Sequence, residues 1–275
     1  MNIFIIGLGL IGGSIARDLT VLPDFVVHAY DNDSKAIKYA LSNNIIDVAL
    51  KSVDEIMTYD DGIIMLCASP SQIQSILENH SELINSQFSV TDVSSVKQGI
   101  FKALDKIDAN NFIFSHPVAG SHHSGIEKSE PGLFNGKNII ISFNNAAKNH
   151  IEKIKFIWTS IGGIILKIDG NKHDEYFALT SHLPHLIAYA MVMTLQDTDQ
   201  NLKSFAAGGL SEFLRLSSSS PKMWSDIFKD NIGNLDSSGQ KFIKNLRTLL
   251  NLIHNHPDQV LNSLEEVQSF TEKNF

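Results

Sequence analysis

Through about residue 168, short apolar runs of β type alternate with stretches whose apolar residues recur at helical spacing. The runs Asn2–Ile6, Val26–Tyr30, Gly62–Leu66, Phe88–Thr91, Phe112–Phe114, Asn138–Ser142 and Gly163–Lys167 read as strands. Strands that alternate with helices imply βαβ units and a parallel sheet. After Asp169-Gly-Asn171 the pattern changes to long apolar-periodic segments with few strand signals. Residues 1–168 are therefore expected to form an α/β domain and residues 169–275 an all-α domain. Within the second, Ser220-Pro221 reads as a helix start, with serine as N-cap and proline in the first turn. Leu186 to Leu195 is about half the ~20 apolar residues a membrane span needs. It is expected to be a buried core helix, with no membrane partner.

The first strand runs directly into Gly7-x-Gly9-x-x-Gly12. In a strand–turn–helix context this spacing suits a dinucleotide: Gly7 permits the tight turn, Gly9 lets backbone approach a pyrophosphate, and Gly12 lets helix pack against strand. The N–H groups at the helix start, from Leu10, Ile11 and Gly12, would face the phosphates. Asp31 ends the second strand 19 residues beyond Gly12, where such folds place a carboxylate on the ribose hydroxyls. No arginine stands beside it to hold a 2′-phosphate, so NAD is favoured over NADP. The fold class expected is an N-terminal Rossmann-like dinucleotide-binding domain followed by an all-α C-terminal domain.

Composition narrows the function classes. With 43% hydrophobic and 19% charged residues the chain can bury a sizeable core, and a net charge of −8 argues against a nucleic-acid partner. The single cysteine, Cys67, forms no intrachain disulfide and suits a reducing cytoplasm. It sits in an apolar run and reads as a buried strand residue. The apolar amino terminus lacks a basic leader and is read as a strand, not a secretion signal.

Four polar clusters carry candidate chemistry. Thr91-Asp-Val-Ser-Ser95-Val-Lys97 and Ser115-His116-Pro-Val-Ala-Gly120-Ser121 each follow a strand, and so emerge at the carboxyl edge where open α/β sheets bind ligands. His116 there could accept a proton near pH 7, although a solvated loop histidine reads equally well. Ser181-His182-Leu-Pro-His185 is read as the opening of an apolar helix, with capping or an anion contact favoured over a metal pair, since the further ligands zinc wants are missing. No metal is expected. Arg215 is a lone cation in an apolar stretch, either paired with a carboxylate or a fork for a substrate carboxylate.

Together these motifs resemble the prephenate/arogenate dehydrogenase family of tyrosine biosynthesis, over nearly the whole chain. The resemblance rests on GLGLIGGS at 7–14, TDVSSVK at 91–97, HPVAGS at 116–121, LFNGK at 133–137, His173-Asp174 with SHLPH at 181–185, and RLSSSSPKMW at 215–224. It implies NAD-dependent oxidative decarboxylation of prephenate. His116 would then take the proton of the ring hydroxyl and Ser95 would orient it. His185, Arg215, Ser121 and, ranked below them, His182 would contact the substrate. The resemblance also implies a homodimer built by the helical domain, with Leu246, Leu249 and Leu250 as candidate contacts or intrachain core.

Two positions depart from the family pattern: His122 stands where a glutamate is common, and Leu210-Ser-Glu212 replaces Phe-Arg-Asp. Both His122 and Glu212 are expected near the pocket mouth. The chain ends at Phe275 without room for a fused chorismate mutase or regulatory domain, so control by tyrosine is expected to act within these two domains. Arogenate dehydrogenase, another hydroxyacid dehydrogenase on the same plan and a non-catalytic NAD-binding protein remain as alternatives.

Overall fold

The computed structural model describes the chain apart from residues 85, 106, 108, 121–123, 197 and 199–206. Eight strands form one sheet: β1 (Asn2–Ile6), β2 (Val26–Tyr30), β3 (Val48–Ala49), β4 (Ile63–Leu66), β5 (Ser89–Asp92), β6 (Phe112–Pro117), β7 (Asn138–Ser142) and β8 (Ile164–Lys167). Their order is β3-β2-β1-β4-β5-β6-β7-β8. The helices between them are α1 (Leu10–Thr20), α2 (Ser34–Ser42), α3 (Pro70–Asn79), α4 (Gln98–Leu104) and α5 (Lys148–Ser160).

Period-two alternation splits the core across the sheet. Ile3, Ile5, Val27, Ile63 and Met65 face α1, α2 and α5 through Ile15, Leu19, Ala40, Ile154 and Trp158. Phe4, Ile6, Ile64, Leu66 and Val90 face the other side, against Ile73 and Leu77 of α3 and Ile100 and Leu104 of α4. Both layers are apolar because a sheet covered on both faces leaves no side for water.

The strands read from sequence lie within a residue or so of those observed, except that β6 continues through His116 and Pro117, and the two-residue β3 carried no signal. The expectation of a parallel sheet needs one correction, because β6 and β7 pair antiparallel, with His116 opposite Ile140. A parallel pair requires a crossover, usually a helix. Residues 118–137 hold Gly120, Gly125, Pro131, Gly132 and Gly136, and have only the single 3₁₀ turn Ile126–Lys128 among the described residues. That segment instead docks on α1: Arg17 Nε donates to Ser129 Oγ at 2.8 Å, and the Gly132 N–H donates to Asp18 at 2.7 Å.

The remaining helices are α6 (Gly170–Phe177), α7 (Leu183–Gln196), α8 (Gly208–Ser217), α9 (Pro221–Asp230), α10 (Ile232–Asn255) and α11 (Val260–Asn274). Helix α9 starts where Ser220-Pro221 indicates, with the Ser220 hydroxyl accepting from the Met223 N–H. Two expectations fail here. The helix at SHLPH does not open there: α6 runs through a π-helical turn, Ala178–His182, straight into α7. Pro184 explains the turn, since its ring would clash with the Thr180 carbonyl in regular α geometry and the wider turn relieves it. Nor is Leu186–Leu195 a buried core helix. Only Leu183 and Ala188 of α7 are buried: α8 covers one flank and Trp224 and Phe228 of α9 touch His185 and Tyr189, while Met191 and Met193 stay exposed. The whole run Gly170–Gln196 is long and apolar enough to cross a membrane by length and composition, yet its buried positions include the polar His173, Asp174 and His182.

Helices α8 and α11 bury no residue, and α10 buries only Leu235 and Ser238. Leu246, Leu249, Leu250 and Ile253 line one stripe of α10, and Leu261, Leu264, Val267 and Phe270 line α11, all of them exposed within the chain. Leu246, Leu249 and Leu250 are thus not intrachain core.

Candidate active site

The carboxyl ends of β1, β4, β5 and β6 share one edge of the sheet and bring the glycine turn, Cys67, Asp92 and His116 together. At the glycine turn, Gly7 has φ +102°, and a Cβ there would lie 2.6 Å from the Cys67 carbonyl oxygen. A Cβ on Gly12 would sit 2.0 Å from the Gly7 carbonyl oxygen, so α1 can approach the strand only as glycine. Gly9 differs, as a Cβ there would meet no atom within 4 Å. The space above Gly9 is open, as a site for an approaching ligand requires. Gly9 is also the N-cap of α1 and supplies no side chain to cap it, so the N–H groups of Leu10, Ile11 and Gly12 precede the first intrahelical bond, Gly13 N–H to Gly9. Asp31 stands beside this turn, its carboxylate accepting from the Leu8 N–H at 2.6 Å and the Asp33 N–H at 2.7 Å. Cys67, just past β4, is buried, and burial pushes its thiol pKa up. It acts as packing beneath the turn.

Below the edge lies a buried ion pair. Lys97 Nζ donates to Asp92 Oδ2, to the carbonyls of Ser94 at 2.8 Å and Ser115 at 2.6 Å, and more weakly to the Ser94 hydroxyl at 3.4 Å. Burial lowers the proton affinity of Lys97, and Asp92 opposes that shift. Asp92 also accepts from the Ser94 hydroxyl and the Ser115 N–H. With its donors directed at protein acceptors, Lys97 ties the ends of β5 and β6 and leaves a positive charge beneath His116. Ser95 is half-buried, and its hydroxyl has no partner among the described residues.

His116 is buried at the end of β6. Its Nδ1 lies 3.0 Å from His173 Nε2, and His173 Nδ1 lies 2.7 Å from Asp174 Oδ1. Phe177 packs against both imidazoles. Burial, His173, Lys97 and His182 all hold the His116 pKa well below the ordinary histidine value. Asp174 stays ionised: burial opposes this, but its bonds to His173 and to the N–H groups of Lys97 and Gln98 hold its pKa below the usual value.

The other candidates spread from this centre. His182 is interior, bonded through Nδ1 to Asn231, which also donates to the Asp174 carbonyl, and burial pushes its pKa down to about 4. It therefore braces α10 against the π turn and contacts no helix-start anion site. The Nδ1 of His185 donates to the Ser181 carbonyl at 3.0 Å, and its ring stacks on Trp224 at 3.6 Å. Burial lowers its pKa, and Arg215 is near enough to lower it further. Arg215 on α8 is 67% exposed and pairs with Glu212 at 2.9 Å. Ser121 and His122 lie outside the described residues.

Sequence reasoning assigned no role to Lys97, His173, Asp174 or Asn231. The first three sit inside motifs already picked out and have some partners there, but the contacts that join those motifs, Lys97 to Ser115, Lys97 N–H to Asp174 and His173 to His116, span 18, 77 and 57 positions of the chain. Asn231 carries no local signal beyond ending α9.

A family model described as prephenate dehydrogenase, nucleotide-binding domain, matches residues 15–167, and one described as prephenate dehydrogenase, dimerization domain, matches residues 169–267. The chain is 28% identical over 275 residues to a cyclohexadienyl dehydrogenase of Zymomonas mobilis, covering 97% of this chain and 94% of that protein. It is 30% identical over 241 residues to a prephenate dehydrogenase of Bacillus subtilis, covering 84% of this chain and 64% of that longer protein. The solved prephenate dehydrogenase of Aquifex aeolicus, in complex with hydroxyphenyl propionate and NAD+, superposes with a TM-score of 0.90 at 29% identity, covering 99% of this chain and 98% of that one.

Proposed function

This chain belongs to the prephenate dehydrogenase family, and we propose that it catalyses the NAD-dependent oxidative decarboxylation of prephenate to 4-hydroxyphenylpyruvate. The observation that carries the reading is His116, a buried neutral imidazole with no partner for Nε2 among the described residues, on the same sheet edge as the open glycine turn.

NAD fits the turn: Gly7 and Gly12 set its shape and Gly9 leaves room, so the Leu10, Ile11 and Gly12 amides would hold the pyrophosphate and Asp31 would take the ribose hydroxyls. Bound there, NAD supplies the hydride acceptor. His116 Nε2 accepts the proton of the ring hydroxyl as the carbon beneath loses hydride, which stabilises the developing carbonyl. The bond between ring and carboxylate then breaks, carbon dioxide leaves, and its electron pair makes the ring aromatic. The phenolate oxygen takes back the proton. Ser95, with its hydroxyl unpartnered among the described residues, orients the substrate hydroxyl. His185, held by Ser181 and Trp224, presents Nε2 to the substrate, and Arg215 receives a carboxylate once it parts from Glu212. Ser121, in the same motif as His116, is a further substrate contact. His182 supports this surface from inside.

A second reading is arogenate as substrate. The cyclohexadienyl dehydrogenase relative favours it, since prephenate and arogenate share that ring and differ in the side chain. The uncovered stripes of α10 and α11, within the region matched by a dimerization domain, support a homodimer. The single buried thiol supports a cytoplasmic location.

The test is absorbance of reduced nicotinamide with purified protein, NAD and either prephenate or arogenate, beside His116→Asn. Turnover with prephenate that the variant loses supports the reading. Turnover with arogenate alone favours the second, and NAD binding with no turnover of either overturns both.

A further inference from the structure

The contacts of His116 fix more than its burial. Asp174 is an acceptor only, so the hydrogen at the 2.7 Å contact belongs to His173 Nδ1. A neutral His173 with hydrogen on Nδ1 has a bare Nε2, which can only accept. The hydrogen of the 3.0 Å contact between the imidazoles therefore sits on His116 Nδ1. His116 Nε2 is left as the bare lone pair.

We propose that His173 and Asp174 are positioning residues that hold His116 in its Nδ1–H tautomer and so aim a free Nε2 lone pair at the reacting hydroxyl. This deepens the functional reading above and rests on it for the identity of the hydroxyl, but not for the tautomer. Asp174 is well anchored for the task. Its carboxylate accepts from Lys97 N–H at 2.9 Å and Gln98 N–H at 2.8 Å, and the Asp174 carbonyl accepts from Asn231. Phe177, one turn on, clamps the two rings. His173 and Asp174 belong to α6 of the helical domain, whereas His116 ends a strand of the nucleotide-binding domain. The base is thus set across the domain boundary, and only while α6 is docked. When Nε2 takes the hydroxyl proton, the O–H bond breaks and an Nε2–H bond forms. The Nδ1 hydrogen then faces His173 Nε2, with the Asp174 charge behind it to offset the imidazolium.

The experiment is ¹⁵N NMR of the histidine rings in the full-length protein, wild type, His173→Leu and His173→Gln, with kcat and KM measured on the same preparations. The wild type is expected to show a protonated nitrogen at His116 Nδ1 and a bare one at Nε2. A glutamine in place of His173 can still accept from Nδ1 through its amide oxygen, so the His173→Gln variant should keep that pattern. Leucine cannot, so its His116 should show mixed tautomers. In turnover, the leucine variant should lose at least about tenfold in kcat, part of the roughly 10²–10⁴ a positioned base supplies, with KM changed much less. The glutamine variant should recover most of that loss.

A bare Nδ1 at His116 in the wild type overturns the proposal whether or not the leucine variant folds. So does a leucine variant with wild-type tautomer and kcat. If neither prephenate nor arogenate turns over, the functional reading fails, while the wild-type spectrum still decides the tautomer.

Discussion

Replacing Gly12 with alanine puts a methyl carbon 2.0 Å from the Gly7 carbonyl oxygen and 2.9 Å from Cys67 Cβ. Both obstacles are tightly held, one as backbone and the other as a buried side chain, so α1 must move away from β1. Overpacking of this kind costs about 1–3 kcal/mol, which for a domain of this size lowers the melting temperature by roughly 2–12 °C. Gly9→Ala is the control. Its methyl would meet no atom within 4 Å, and the Gly9 backbone, at φ −79° and ψ −159°, is open to alanine. The weaker N-cap and the smaller unfolded-state entropy roughly offset, leaving stability within about 1 kcal/mol of wild type. The same methyl, however, occupies the space where the pyrophosphate approaches. With NAD at about 100 times its dissociation constant, wild type should gain about 2.7 kcal/mol, and Gly9→Ala should lose most of that gain. Thermal melts of the three proteins with and without NAD separate the two effects. If Gly9→Ala melts as low as Gly12→Ala without NAD, or keeps the full NAD-induced shift, the division of labour among these glycines is refuted.

The buried Lys97–Asp92 pair should behave as a unit. Lys97→Met strands a carboxylate in the interior and is expected to cost about 3–5 kcal/mol, while the Lys97→Met/Asp92→Asn double variant should recover part of that in denaturant unfolding. His116→Asn should lower kcat by about 10²–10⁴ and leave NAD affinity within a few-fold, as read by single-turnover absorbance and NAD titration. Burial keeps His116, His173, His182 and His185 neutral in the folded protein, with pKa values below the ordinary 6.5. The unfolded chain therefore binds more protons, so stability is fully present above about pH 6.5 and falls on acidification, for His182 down to about pH 4. Unfolding midpoints that stay level from about pH 7 to about pH 4.5 would contradict this. Arg215→Ala, exposed and paired among the described residues with Glu212, should raise KM for the substrate while the melting temperature stays within a degree or so, as for other exposed ion pairs.

Local chemistry carries far in this chain. Strand positions, the glycine turn and the Ser220 cap are legible in sequence because each depends on a few consecutive residues: apolar runs for strands, missing Cβ atoms for the turn, a serine and a proline for the helix start. The residues His116, Ser95 and Asp31 could be placed on one sheet edge for the same reason, since each follows a strand and parallel strands end together. Other features needed partners far along the chain. The antiparallel β7 follows from the absence of a crossover helix among the described residues between 118 and 137, and the π turn at 178–182 is imposed by Pro184 inside a longer helix than the apolar stretch suggested. That α7, α10 and α11 leave apolar faces uncovered depends on which neighbours pack on them, a property no single helix encodes. The tautomer of His116 is the clearest case. His173 lies 57 positions away, and although His173-Asp174 is among the motifs that carry the family resemblance, nothing local in the sequence gives it a role toward His116. Its meaning arises only when folding sets it between a buried carboxylate and the imidazole that needs it, because a hydrogen bond is a relation between two groups in space and leaves no mark on either residue alone.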